Sequence, residues 1–166
     1  MVPDETGAML LRGRDGSELE LDVVGYQFPD VEADPWDSNS LLVAVRVVSA
    51  QGTWEAVDPC LTTWEAVRLC RWLALLAAGD ASVVRQPFNE PNVRVSVNGL
   101  APDFSRARVH ACFELETRPP WLPGPAAGRD TLCVELDLPR AALREAAVDL
   151  ARQLRRFPLR GDDPTL

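Results

Sequence analysis

Lysine is missing altogether: all 17 basic residues of the 166-residue chain are arginines. That absence excludes a phosphate-loop lysine and a Schiff base to a carbonyl substrate or pyridoxal phosphate. Histidine occurs once, as His110, so a tetrahedral zinc site has few ligands to draw on. Any general base of that type would have to be this residue. The glycines form neither a GxGxxG nor a GxxxxGK[ST] string, which removes the common nucleotide-binding loops. The longest strongly apolar stretch, around Trp72 to Ala78, is far below the ~20 residues a helix needs to cross a bilayer. The opening Met1-Val2-Pro3-Asp4-Glu5 lacks the basic and apolar regions of a signal peptide. A cytoplasmic location without membrane attachment is therefore expected. Cys60, Cys70, Cys112 and Cys133 are widely spread with no CxxC, and they read as buried free thiols in a reducing compartment.

What is present describes a folded domain. Apolar residues make up 46% and charged residues 25% of the chain, within the ordinary globular range, so disorder is not expected. A single domain over residues 1–166 is expected, with frayed ends at about 1–7 and 161–166. The chain carries 25 acidic residues against its 17 arginines, a net charge of −8. Affinity for nucleic acid comes mainly from cationic neutralisation of phosphates, so direct nucleic-acid binding is not expected. The same balance would steer in a basic partner; solubility is its plainer role.

The hydrophobic pattern has period two in most places. Leu19, Leu21 and Val23 alternate with Glu18, Glu20 and Asp22, and Arg14-Asp15-Gly16-Ser17 supplies the turn of a hairpin with the apolar run Ala8 to Arg12. Leu41 to Ser49 is apolar on both faces, as in a strand from the middle of a sheet, and Thr53 to Val57 returns beside it. Pro91 to Gly99, Phe104 to Thr117 and Thr131 to Leu138 alternate again. In the second of these, Val109, Ala111, Phe113 and Leu115 are expected inward, and His110, Cys112, Glu114 and Glu116 outward. Thr62-Thr63-Trp64-Glu65 fits a capping box opening a mostly apolar helix that Gly79 ends. A second helix follows Pro139, with Leu143, Ala146, Ala147, Leu150, Leu154 and Phe157 on one stripe. The fold class is α+β: a largely antiparallel sheet of about six to seven strands with two α-helices packed on it.

No catalytic, cofactor-binding or metal-binding residue is assigned. His110 and Cys112 share a strand face roughly 7 Å apart at the rise of a strand, but neither has an orienting group in sequence. Glu114 and Glu116 share that face, as on any solvated sheet. The Gly25–Asn39 loop holds Asp30, Glu32, Asp34 and Asp37 without the residue order of a calcium loop. Tyr26, Phe28 and Trp36 flank these acids, as core anchors for the loop or as contact residues.

Several strings occur in order: Gly25-Tyr26-Gln27-Phe28-Pro29, Asp34-Pro35-Trp36-Asp37-Ser38-Asn39, Asp58-Pro59-Cys60-Leu61-Thr62, Glu90-Pro91-Asn92 and Phe157-Pro158-Leu159-Arg160. Together they resemble the WapI-type bacterial immunity proteins, from about Leu10 to Arg160. The resemblance implies a non-enzymatic protein that neutralises a cognate toxin domain by occlusion. Its partner would be a basic protein domain, with a nuclease as one form of it. Tyr26, Asp30, Glu32, Asp34, Trp36, Asp37, Glu114 and Glu116 are the contact residues expected under that reading, on a flat or convex acidic face. The alternatives are a small-molecule or hydrolase-like pocket around His110 and Cys112, and a scaffold protein that forms a homodimer through exposed tryptophans.

Overall fold

Alternation decides most of the architecture, and the chain uses it twice. The computed structural model describes residues 7–128 and 130–166; residues 1–6 of the expected frayed N-terminus lie outside them. Strands β1 (Met9–Arg12), β2 (Glu18–Tyr26), β3 (Ser40–Ser49) and β4 (Gly52–Thr62) pair antiparallel in that order. Gly16 at the first turn has φ 88°, a conformation that costs glycine no Cβ clash. The register sets Leu21 against Val45 and Val47 against Trp54. One face of the sheet is thereby continuous Leu, Val and Trp, all buried. β3 lies inside the sheet, as its two apolar faces predict.

Helix α1 (Thr63–Ala77) begins where β4 ends. Its capping box forms as expected: Glu65 donates its backbone N–H to the Thr62 hydroxyl, and the Glu65 carboxylate accepts from the Thr62 backbone N–H at 2.8 Å. Gly79, at φ 84°, closes the other end. Its N–H donates to the Leu76 carbonyl and that of Asp80 to the Leu75 carbonyl, the paired bonds of a Schellman stop.

The second half repeats this order. Strands β5 (Arg85–Gln86), β6 (Val93–Leu100), β7 (Arg106–Phe113) and β8 (Leu132–Pro139) form a second antiparallel meander, followed by α2 (Arg140–Leu154). The α+β class holds, with eight strands among the described residues, divided equally between two sheets. β5 is too short to leave a pattern in the sequence. β7 is shorter than its alternation suggests. A 3-10 turn at Leu115–Thr117 replaces the last expected strand residues, and Leu115, expected inward, is 39% exposed with φ 51°.

The cysteine expectation is corrected in part. Cys60 and Cys70 are free, but Cys112 and Cys133 form a disulfide. They stand directly opposite each other in the β7–β8 register, with Cα atoms 4.0 Å apart. Nothing in the sequence fixes that register.

Both sheets and both helices share one cluster of buried apolar side chains, each full-sized member worth about 1.5–3 kcal/mol of burial. Trp54 of β4 meets Phe113 of β7 edge to face at 5.4 Å, and its indole N–H donates to the Thr117 carbonyl at 2.8 Å. On its other side Trp54 meets Trp121 at 5.4 Å. Gly52 lets the Trp121 ring approach, since a Cβ there would lie 2.8 Å from it. Trp54, Trp64 and Trp72 are buried, while Trp36 and Trp121 are exposed.

α1 packs along α2, and Arg140 in the first turn of α2 donates to the Ala77 carbonyl at the end of α1 at 2.6 Å. Gln153 of α2 is fully buried: its carbonyl accepts from Val23 N–H at 2.7 Å, and its amide donates to the Leu21 carbonyl. The same amide also donates to the Gly7 carbonyl, so Gln153 joins α2 to β2 and to the chain entering β1. In the segment expected to fray, Arg68 of α1 binds both Asp163 and Thr165. Among the described residues no helix is long and apolar enough to cross a membrane.

Candidate functional site

A cluster of carboxylates lies where the two halves meet. A cleft of about 420 Å³ has a lining that includes residues from five places in the chain. Trp36 and Asp37 come from the loop before β3. Asp58 and Pro59 come from the end of β4, and Glu65 from the first turn of α1. Asn89, Glu90 and Asn92 precede β6, and Leu115 and Glu116 lie on the turn after β7. Its lining holds five carboxylates and no arginine. None of the five has an arginine nitrogen within ion-pair distance among the described residues.

Two of the carboxylates share one donor. The side-chain amide of Asn92, only 3% exposed, donates to Asp58 Oδ2 and to Glu116 Oε2, each at 2.8 Å. A primary amide has two N–H groups, so both bonds form at once. Asn92 is held by its own backbone, whose carbonyl accepts from the Thr117 hydroxyl and from Glu114 N–H. The amide is neutral, so it orders the two acids without cancelling their charge. Burial, with Glu116 and Glu90 nearby, pushes the Asp58 carboxyl above its ordinary value. Glu65 is spent differently: one oxygen serves the helix cap and the other accepts from Asn89 N–H. It fixes the 87–92 segment against α1.

The mouth carries the aromatic group. Trp36 is 39% exposed and stacks edge to face on buried Trp64 at 5.1 Å. Asp34 Oδ1 accepts from the N–H groups of Trp36 and Asp37, shaping the turn that presents them. Fully buried Asn39 ties this turn down, accepting from the Thr63 hydroxyl and from Arg160 N–H. Opposite, the positive φ of Leu115 sets its side chain outward at the rim. A bulky residue rarely takes that conformation, and such backbone strain concentrates at functional sites.

The residues expected from the sequence divide. Trp36, Asp37 and Glu116 line the cleft. Asp34 shapes the turn beneath them. Tyr26 is committed elsewhere: it packs on Phe157 at 5.5 Å, donates to the Pro158 carbonyl and lies under the Arg160 guanidinium. Asp30 and Glu32 are exposed but lie outside the cleft lining. Glu114 is separated from Glu116 by the turn, because the strand ends at Phe113. It accepts from Thr131 and pairs with Arg94 at 3.6 Å.

The part of the surface that carries Trp36, Asp37 and Glu116 is concave. Sequence reasoning missed Asp58, Glu90 and Asn92. Their sole signal was membership of the Asp58-Pro59 and Glu90-Pro91-Asn92 strings. Cys112 has no free thiol while bonded to Cys133, and His110 sits half-buried on the side of β7 away from the shared core.

A family model described as the immunity protein WapI-like family matches residues 9–158, well over half of the chain. No curated protein matches the chain.

Proposed function

The chain belongs to the WapI-like immunity protein family, and on that premise we propose that it binds a cognate toxin domain and neutralises it by occlusion. The observation that carries the mechanism is the cleft with five carboxylates and no arginine of its own. A folded protein ordinarily pairs buried charge with its own counter-charge. Here Asp58 is 8% exposed and has only the Asn92 amide. The chemistry that completes such a site is a guanidinium or ammonium group offered by the partner.

Trp36 and Leu115 at the mouth supply apolar contact around that cation, in the manner of a binding hot spot with a charged centre. A toxin that acts on phosphate esters, such as a nuclease, presents cationic side chains where its substrate binds. Insertion of one of them into the cleft blocks that surface, with no chemistry required of the inhibitor. Long-range attraction from the net charge of −8 speeds the encounter. The site of action on this reading is the cytoplasm, where the toxin would otherwise act.

The test is capture of partners from the native host by the tagged wild-type chain and by an Asp58→Asn/Glu116→Gln double variant. The captured polypeptide is then expressed alone. The reading requires that it arrest growth, that the wild-type chain restore growth, and that the double variant bind it at least about a hundredfold more weakly, the cost of losing a charge-assisted contact. Equal protection by both chains would remove the cleft from the mechanism.

A further inference from the structure

His110, Cys112 and Cys133 place their ligand atoms within 4.8 Å of one another on the outer face of the second sheet. We propose that, once the Cys112–Cys133 disulfide is reduced, these three side chains form a zinc site that the disulfide closes. The arrangement is one that an antiparallel pair makes readily. His110 and Cys112 are two residues apart on β7, so they share a face, and Cys133 of β8 stands opposite Cys112 in the register.

The distances suit the ion. Zinc bonds sulfur at about 2.3 Å and nitrogen at about 2.0–2.1 Å, so neighbouring ligands of one ion lie roughly 3.5–3.8 Å apart. His110 Nδ1 already stands 3.9 Å from Cys112 Sγ. Rotation of the two cysteine side chains opens the sulfur pair to that separation while the strands keep their hydrogen bonds. Two thiolates and one imidazole are the donor set zinc takes at sites that keep a fourth position open for water or an incoming ligand. Arg94, opposite Cys112 on β6, is paired with Glu114 at 3.6 Å, so it does not leave an uncompensated cation beside the ion.

The other two cysteines do not compete. Burial pushes the Cys60 thiol up to about 12 and the Cys70 thiol up to about 11, so neither offers a thiolate at neutral pH. Cys133 is exposed and Cys112 half-buried, which leaves the disulfide open to exchange. Reduction by a dithiol breaks the S–S bond and delivers two electrons and two protons to the cysteines, while the dithiol closes to its own disulfide. Zinc then displaces the two thiol protons. In the reverse direction peroxide accepts the electron pair: the thiolates form the S–S bond, the O–O bond breaks, two protons complete two waters, and the ion leaves.

The experiment uses the full chain, reduced with a dithiol, freed of it under anaerobic conditions, and titrated with Zn2+ and with Co2+ as the spectroscopic probe. The expected result is one ion per chain, with a thiolate-to-cobalt band in the near ultraviolet. Bound Zn2+ protects Cys112 and Cys133 from alkylation, and one equivalent of peroxide releases it with return of the disulfide. Cys112→Ser abolishes the band, and His110→Ala weakens binding by at least about tenfold. Reduced wild-type chain is the reference for both variants, and circular dichroism confirms that all three are folded. Equal binding by Cys112→Ser and the reduced wild type would overturn the proposal, as would less than one ion per folded reduced chain.

Discussion

The two halves of the molecule have the same order, a four-stranded meander followed by a helix of 15 residues, yet they are stabilised differently. α1 buries nine of its residues and α2 five, so α1 is the more deeply packed of the two. α1 has a reciprocal cap at its start and a glycine stop at its end. α2 starts directly after Pro139 with no side-chain cap. The second half compensates with a covalent cross-strand tie, whereas both cysteines of the first half are free. Local signals thus hold the first half, and contacts distant in sequence hold the second. The acidic cleft occurs at their junction, where neither half supplies a basic residue.

That contrast can be broken from either side. The largest effect is expected for Trp72→Ala, since Trp72 is 2% exposed and its indole donates to the Val83 carbonyl. It should cost about 3–5 kcal/mol, the range for deleting a buried aromatic, measured by urea denaturation. Val148→Ala on the exposed side of α2, at 45% exposure, should change stability by less than about 0.5 kcal/mol.

Reduction of the disulfide is next. Its cysteines are 21 residues apart, and a loop of that size is worth about 3 kcal/mol in the chain-entropy model. Denaturation with and without reductant should show that loss in the wild type and none in Cys112→Ser. A first-half counterpart, Thr62→Ala, removes the cap hydroxyl of α1 and should cost about 1 kcal/mol, read from the same denaturation curves.

The smallest effect concerns pH at the junction. The folded Asp58 carboxyl titrates above its unfolded value of 3.8. The native state therefore holds more protons than the unfolded state between the two values. Its contribution to stability is full below pH 3.8 and is lost as pH rises through the folded value. Asp58→Asn should remove that decline, flattening stability against pH in this window, while weakening partner binding. If wild type and variant instead decline in parallel, Asp58 is not the group responsible.

Much of the first half was legible because its signals are local. Thr62 and Glu65 are three residues apart, and Gly79 ends α1 by its own backbone freedom; neither depends on what packs nearby. The alternation of Leu19, Leu21 and Val23 likewise predicts the buried face of β2. The second half misled where a local rule ran past its limit. Alternation continues through Leu115 and Glu116, but Thr117 turns inward to donate to the Asn92 and Glu114 carbonyls. That closes a 3-10 turn and sends Glu116 into the cleft. No periodicity announces Gln153 either, a polar residue at a buried helix position whose partners lie on β2.

The sequence by itself determined the class of the fold, both helix boundaries of α1, the apolar faces of the long strands, and an acidic charge balance of −8. These follow from spacing, capping and composition, which act over a few residues or over the whole chain. Tertiary structure alone decided that the strands form two sheets and that Cys112 faces Cys133. It also decided that Asp58 and Glu116 converge on the Asn92 amide, with Glu90 in the same cleft. The physical reason is register: a shift of one residue between strands reverses every side chain, and register is set by the packing of the complete core.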